Sequence, residues 1–177
     1  MEVKVMEKVC GNYEKNVKEI RKEFPGALVF DISKDGAMGY LSPQGPWGNV
    51  DVPGMEGRSG LSVLGIWEGL KVFERKGMDG NYFYDERKLG MVRKCKSYGR
   101  WIGVRYGDEL LEKDEGIEKV FKRMYRKEVM KRYGKVIEGM RELVKKRDVV
   151  FLEGSEEKLK APCSVGEILK SMILDRQ

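Results

Sequence analysis

Ser62-Val63-Leu64-Gly65-Ile66-Trp67-Glu68-Gly69-Leu70-Lys71 constrains this chain more than any other segment. It follows a Gly/Pro-rich stretch and predicts a helix with three unlike faces. Val63, Ile66, Trp67, Leu70 and Phe73 recur at the i, i+3, i+4, i+7 spacing that buries one face. Ser62, Gly65 and Gly69 form a second face nearly without side chains. Glu68, Lys71 and Arg75 form a third, polar face. An interior glycine costs about 1 kcal/mol relative to alanine. Something must offset that cost by approaching the backbone closely: another element packed tightly against it, with the charges solvated, or a ligand.

The chain contains no histidine among its 177 residues. That excludes Ser-His-Asp and Cys-His nucleophilic catalysis, His-ligated zinc and the His-x-Glu deaminase site. Acid–base chemistry is left to carboxylates, lysine, tyrosine and cysteine. The length suffices for one well-buried domain. Charged residues make up 36% of the chain, but both signs are interleaved with apolar positions, which argues against disorder. The abundance of Lys, Arg and Glu with no Thr is the bias of a hyperthermophile.

The net charge of +6 and pI of about 9.1 suit a phosphate-bearing ligand or nucleic acid, and equally an ordinary basic surface. Arg93-Lys94-Cys95-Lys96-Ser97-Tyr98-Gly99-Arg100-Trp101 interleaves cations with aromatics, as a single-strand groove does. Cys10, Cys95 and Cys163 are isolated, with no Cys-x-x-Cys pair, so neither a zinc ribbon nor a disulfide framework is indicated. The first residues lack an apolar signal region and no apolar run is long enough to span a bilayer. These features predict a soluble, cytoplasmic protein without metal or other cofactor.

Tyr13, Val17, Ile20 and Phe24 predict an amphipathic first helix stopped by Pro25-Gly26. Ala27–Ile32 reads as a buried strand ending at Asp31, and Met38–Leu41 as a second strand. Residues 42–60 form a long Gly/Pro-rich loop holding Trp47 and the acids Asp51 and Glu56. After the glycine-containing helix come a turn at Gly77–Asn81, a basic helix at Glu86–Ser97 and a short strand at Trp101–Tyr106. Ile117–Lys146 is expected to be helical with a break near Gly134. Val149–Leu152 is a strand ending at Glu153-Gly154. Ser164-Val165-Gly166-Glu167 fits a capping box for a last helix, Val165–Leu174. The fold class expected is α+β: one mainly helical domain, residues 1–177, with a small sheet.

The order of these features resembles the NADAR superfamily, whose members share a YbiA-like α+β fold. Tyr40-Leu41-Ser42-Pro43 resembles the family's opening motif. Ser62-Val63, Trp67 and Lys71 fall on its helix motif. Lys94, Lys96 and Tyr98-Gly99-Arg100 resemble its Gly-Arg turn, and Val149-Val150-Phe151-Leu152-Glu153 its terminal strand. The resemblance covers roughly residues 40–174. It implies an N-glycosidase acting on ADP-ribose conjugates, such as ADP-ribosylated guanine in nucleic acid, or on a ribosylamino-pyrimidine phosphate. The family's motif glutamate falls on Leu64 here, which cannot serve. Glu68 lies one turn further on, where i and i+4 share a face. It either presents a carboxylate to the same site or pairs with Lys71 or Arg75 on the surface.

The chemistry suits a chain without histidine. Cleaving an N-glycosidic bond builds positive charge on the ribose, which a carboxylate stabilises while orienting water, by analogy with O-glycosidases. The candidate carboxylates are Glu68 and Glu153. Lys71, Gly99 and Arg100 are candidates for holding phosphate, and Ser42 and Ser62 for binding substrate. Tyr40, Trp47 and Trp101 flank loops and are candidate stacking platforms, whereas Trp67 reads as core. Asp51 and Glu56 lie in the long loop, where acids are ordinarily solvated. Two other classes remain open: an inactive ADP-ribose- or nucleotide-binding module, which Leu64 favours, and a basic nucleic-acid-binding protein whose affinity falls steeply with salt.

Overall fold

The computed structural model describes residues 2–8, 13–33, 35–84, 96–154 and 162–175. The elements in chain order are β1 (Val3–Lys8), α1 (Tyr13–Glu23), β2 (Leu28–Asp31), β3 (Val50–Asp51), β4 (Ser59–Gly60), α2 (Val63–Leu70), β5 (Lys71–Phe73), β6 (Trp101–Tyr106), β7 (Glu109–Leu111), α3 (Lys113–Gly116), α4 (Arg123–Val144), β8 (Val149–Gly154) and α5 (Val165–Leu174). Short 3₁₀ turns occupy Gly39–Leu41, Gly80–Tyr84 and Lys96–Tyr98, and a π-helical turn spans Ile117–Lys122. The fold is α+β. The chain groups into two compact units, residues 1–42 with 126–177 and residues 43–125.

The first unit is built on a parallel sheet in the order β1-β8-β2. Val149, Val150, Phe151, Leu152 and Glu153 of the central strand are all buried, as expected for a strand with neighbours on both edges and layers on both faces. Val150 and Leu152 pack with Ile20 of α1, and Met6, Val17, Phe24, Ala27 and Val29 close around them. α5 buries Val165, Ile168, Leu169, Met172 and Ile173. Its Gly166 sits so close to Val5 of β1 that a methyl there would come within 2.5 Å of a Val5 methyl. Arg141 of α4 donates to the Met172 carbonyl of α5 at 2.8 Å.

The second unit holds the two-residue β3–β4 ladder, α2, and an antiparallel sheet in the order β5-β6-β7. Its core contains Trp67, Phe83, Val104, Val120, Phe121 and Tyr125.

Local signals place most elements where the sequence predicts them. α1 ends before Pro25-Gly26, with Gly26 at φ +84°. The strand at Trp101–Tyr106 and the helix at Val165–Leu174 keep their expected bounds, and Ser164 Oγ accepts from Glu167 N at 3.2 Å. The break near Gly134 is a non-helical Tyr133 (φ −126°, ψ 21°).

Three expectations are corrected. Residues 39–41 form a 3₁₀ turn rather than a strand, because Met38 N is tied back to the Asp31 carbonyl and Leu41 N to that of Met38. The glycine-containing helix stops at Leu70, and Lys71 turns into β5, so Phe73 and Arg75 are not on its faces. β1 and β7 are additional strands, and the two-residue β3 and β4 fall in the 42–60 stretch expected to be a loop. The expected basic helix at Glu86–Ser97 lies outside the described residues, apart from the turn at Lys96–Tyr98, as do Cys10, Cys95 and Lys94. Among the described residues, no helix is long and apolar enough to cross a membrane.

Candidate functional site

α2 starts with Ser62 in extended conformation, its hydroxyl accepting from Gly65 N at 3.0 Å. This N-cap satisfies a donor that the first turn would otherwise leave open. Every residue from Val63 to Leu70 is buried. The face bearing Gly69 is closed by protein: the Phe83 ring lies against it, and a methyl there would run into that ring and stand 3.1 Å from the Asp79 carbonyl. Tight packing therefore offsets the cost of Gly69, and no ligand is needed to explain it.

The polar face is not solvated as the spacing suggested. Glu68 and Lys71 are 3% and 5% exposed, and their side chains form an ion pair of 2.6 Å. The chain leaves the helix at Lys71 (φ −62°, ψ 130°), which keeps the lysine beside the last turn. Its Nζ stands 5.6 Å from the centre of a Trp67 ring and 5.1 Å from that of Trp101, so the cation faces aromatic π-clouds as well as the carboxylate. Trp67 and Trp101 meet edge to face at 6.3 Å, and Phe121 meets Trp67 at 5.6 Å.

Lys113 completes the group, with its Nζ 4.8 Å from the Trp101 ring centre. Gly116 explains its position. A methyl at Gly116 would strike Val104 of β6, so α3 lies directly on that strand, and Lys113 is one turn earlier on the same helix face. The π-helical turn then presents the consecutive residues Val120 and Phe121 inward together, both fully buried. Turns of this kind recur at functional sites.

The structure thus brings Glu68, Lys71 and Trp101 together, with Ser62 capping the same helix. The other expected residues lie elsewhere. Trp47 is buried and stacked on Tyr125 at 5.8 Å, so it is a core residue rather than a stacking platform. Gly99 has φ +76°, which fits the turn before β6, and exposed Arg100 reaches Glu74 at 3.9 Å. Asp51 and Glu56 are exposed.

Tyr40, Ser42 and Glu153 belong to the first unit. Tyr40 is 40% exposed and packs on Tyr133 at 5.0 Å. Partial burial and the neighbouring Tyr133 raise its pKa, so the phenol stays a hydrogen-bond donor to higher pH than usual. Ser42 is fully buried, its N–H donating to the Gly39 carbonyl. Glu153 serves the start of α5: one oxygen accepts from Ser164 Oγ at 2.6 Å and the other from Val165 N at 2.7 Å. A carboxylate there also meets the positive end of the helix dipole. Replacing Glu153 with alanine is expected to lower stability by about 1–3 kcal/mol, since both donors lose their acceptor. A urea midpoint within error of wild type would contradict this.

Three groups were not singled out from sequence: Lys113, the Trp67 indole N–H and Glu128. Among the described residues, the buried side-chain atoms without a hydrogen-bond partner are Trp67 Nε1 and Glu128 Oε1. Glu128 Oε2 accepts from Arg132 Nε at 3.1 Å. The spacing Phe121, Tyr125, Glu128 puts this glutamate on the apolar helix face, the one sign the sequence offered.

The profile of a family of unknown function, DUF6939, matches residues 12–164, and the chain belongs to that family. No curated protein and no solved structure matches the chain.

Proposed function

We propose that the chain is a hydrolase of N-glycosidic bonds, cytoplasmic and acting on an ADP-ribose or ribosyl-phosphate conjugate, with Glu68 as its carboxylate. The observation that carries this reading is the buried Glu68–Lys71 pair beside Trp101. Burying two charges is costly, and a well-packed apolar pair of similar volume is often as stable or more so. A pair kept inside nonetheless, next to a half-buried indole, suits a carboxylate held ready for a cationic intermediate. The order of motifs, which resembles that of the NADAR superfamily, supports the same chemistry.

In this reaction the C1′–N bond breaks and water oxygen bonds to C1′. Glu68 stabilises the positive charge on the ribose and takes a proton from the water. A proton returns to the departing nitrogen of the base. Trp101 supplies a ring edge or face for the base, and Lys71 must leave Glu68 for the carboxylate to meet the sugar.

The test is hydrolysis of an ADP-ribosylated guanine oligonucleotide. Wild type is expected to release ADP-ribose and leave unmodified guanine in the strand, and Glu68→Gln to be slower by about 10²-fold or more. An unchanged rate in Glu68→Gln overturns the assignment. ADP-ribose binding without turnover by wild type would instead favour the inactive binding module, the reading that fully buried Leu64 at the family's glutamate position supports.

A further inference from the structure

Residues 119–135 hold eight lysines and arginines against one acid, Glu128, a surplus of seven in a chain whose net charge is +6. The excess positive charge is concentrated in this one stretch. In the first unit it continues along α4, where the exposed residues between 126 and 135 are Arg126, Lys127, Met130, Lys131 and Lys135. Lys127 and Lys131 lie one turn apart on one face, about 6 Å along the axis, and Lys135 follows past the non-helical Tyr133. Glu128 does not neutralise this face, because it is 1% exposed and its Oε2 accepts from Arg132 Nε. Arg126 is anchored by Ser171 Oγ at 2.6 Å and Asp175 at 4.0 Å. Lys131 and Lys135 form no hydrogen bond or ion pair among the described residues.

Other helical lysines of this chain are treated differently. Lys119 pairs with Glu115, Lys122 with Glu118, Lys145 with Glu142 and Lys170 with Glu167. Each has a carboxylate three or four residues away, the spacing that stabilises a helix, whereas like charges at that spacing destabilise it. A row of cations without interleaved acids is offset when a polyanion lies along it.

We infer that the exposed face of α4 from Arg126 to Lys135 docks the phosphate backbone of duplex DNA. Its cations succeed one another along the helix axis, so they match a chain of phosphates rather than one small anion. Cores of protein interfaces are depleted of lysine and enriched in aromatics, the reverse of this face. A helix that lies on a membrane needs an apolar side able to enter the lipid. Here Val129, Ile137 and Met140 are buried in the protein. Single strands are held by stacking on aromatic rings, and no aromatic is among the exposed residues of this stretch. Double-stranded RNA is recognised in good part through its 2′-hydroxyls, which a row of charges does not read. Contacts to phosphate carry no sequence information, so the binding is independent of sequence. The inference concerns the first unit and does not depend on the reading of Glu68.

The test is fluorescence anisotropy of a labelled mixed-sequence DNA duplex between about 50 and 200 mM salt. Wild type is compared with Lys131→Gln/Lys135→Gln and with Lys145→Gln/Lys170→Gln. The second pair removes the same charge from lysines that already have carboxylate partners. Lys131 and Lys135 are exposed, so replacing them leaves the core undisturbed. Each phosphate contact contributes about −0.9 to the slope of log affinity against log salt. Four cations give wild type a slope of about −3.6, and Lys131→Gln/Lys135→Gln should halve it to about −1.8. Lys145→Gln/Lys170→Gln should keep the wild-type slope. No duplex binding by wild type at about 50 mM salt overturns the inference, as does an equal change of slope in both double variants. Tighter binding to duplex RNA, to phosphatidylserine vesicles or to polyglutamate than to the DNA duplex overturns the choice of partner.

Discussion

Lys71→Met is expected to destabilise the protein by roughly 3–5 kcal/mol, because it leaves the Glu68 carboxylate buried without its cation. Glu68 is 3% exposed in a helix whose every residue is buried, so water cannot replace the lost ammonium. Glu68→Leu in the same chain should restore most of the loss. Its side chain would fall among Leu64, Trp67 and the aromatic rings around Lys71, and an apolar pair avoids the desolvation of both charges. Urea unfolding of the two single variants and the double variant closes the cycle, with stability read from the midpoint at constant slope. A double variant as unstable as Lys71→Met alone would show that Lys71 supports the fold through its aromatic contacts rather than its charge. Full stability in the double variant, together with loss of hydrolysis, would show that the pair is kept for chemistry.

Leu64→Glu, the change that would reinstate the glutamate expected from the resemblance, should not raise hydrolysis above wild type and should cost more than about 3 kcal/mol. Leu64 is 0% exposed, and its N–H donates to the Pro43 carbonyl at 2.9 Å. A carboxylate there would enter a packed core, and Lys71 at the end of this helix already pairs with Glu68. Leu64→Met, close in volume, is the control and should cost less than about 1.5 kcal/mol. Circular-dichroism melting measures the loss, and the oligonucleotide assay checks for activity. A folded Leu64→Glu protein with hydrolysis above wild type would place the catalytic position at residue 64 and displace Glu68.

The candidate site was partly legible. Glu68, Lys71 and Trp101 are neighbours in the folded chain, and the spacing within the glycine-containing helix was enough to select the first two. Their burial was not legible, because a helical wheel gives the angle of a side chain and not what covers it. Arg75 sits in nearly the same sequence pattern as Lys71 and is exposed, since the helix ends at Leu70 and the strand that follows resets the periodicity from 3.6 to 2. Lys113 was invisible for another reason. Its partner Trp101 is reached through the contact of Gly116 with Val104, and no local pattern encodes that contact. Trp47 was misjudged because a tryptophan in a Gly/Pro-rich loop can fold back onto Tyr125 as readily as face solvent.

The sequence by itself determined the elements that have short-range causes: the Ser62 and Ser164 caps, the stop at Pro25-Gly26, the β-branched and aromatic strands at 101–106 and 149–152, and the exclusion of histidine chemistry. These depend on neighbours within about one helical turn or a few strand residues, and local propensity suffices for them. Only the tertiary structure decided the parallel order β1-β8-β2, whose partners lie as far apart in the chain as Val3 and Val149. It alone placed an ion pair inside the second unit, engaged Glu153 at the start of α5 and left Trp67 Nε1 without an acceptor. Burial and pairing of this kind are set by distant segments meeting, so the residues that carry the proposed chemistry became distinguishable from surface charges only once the chain was folded.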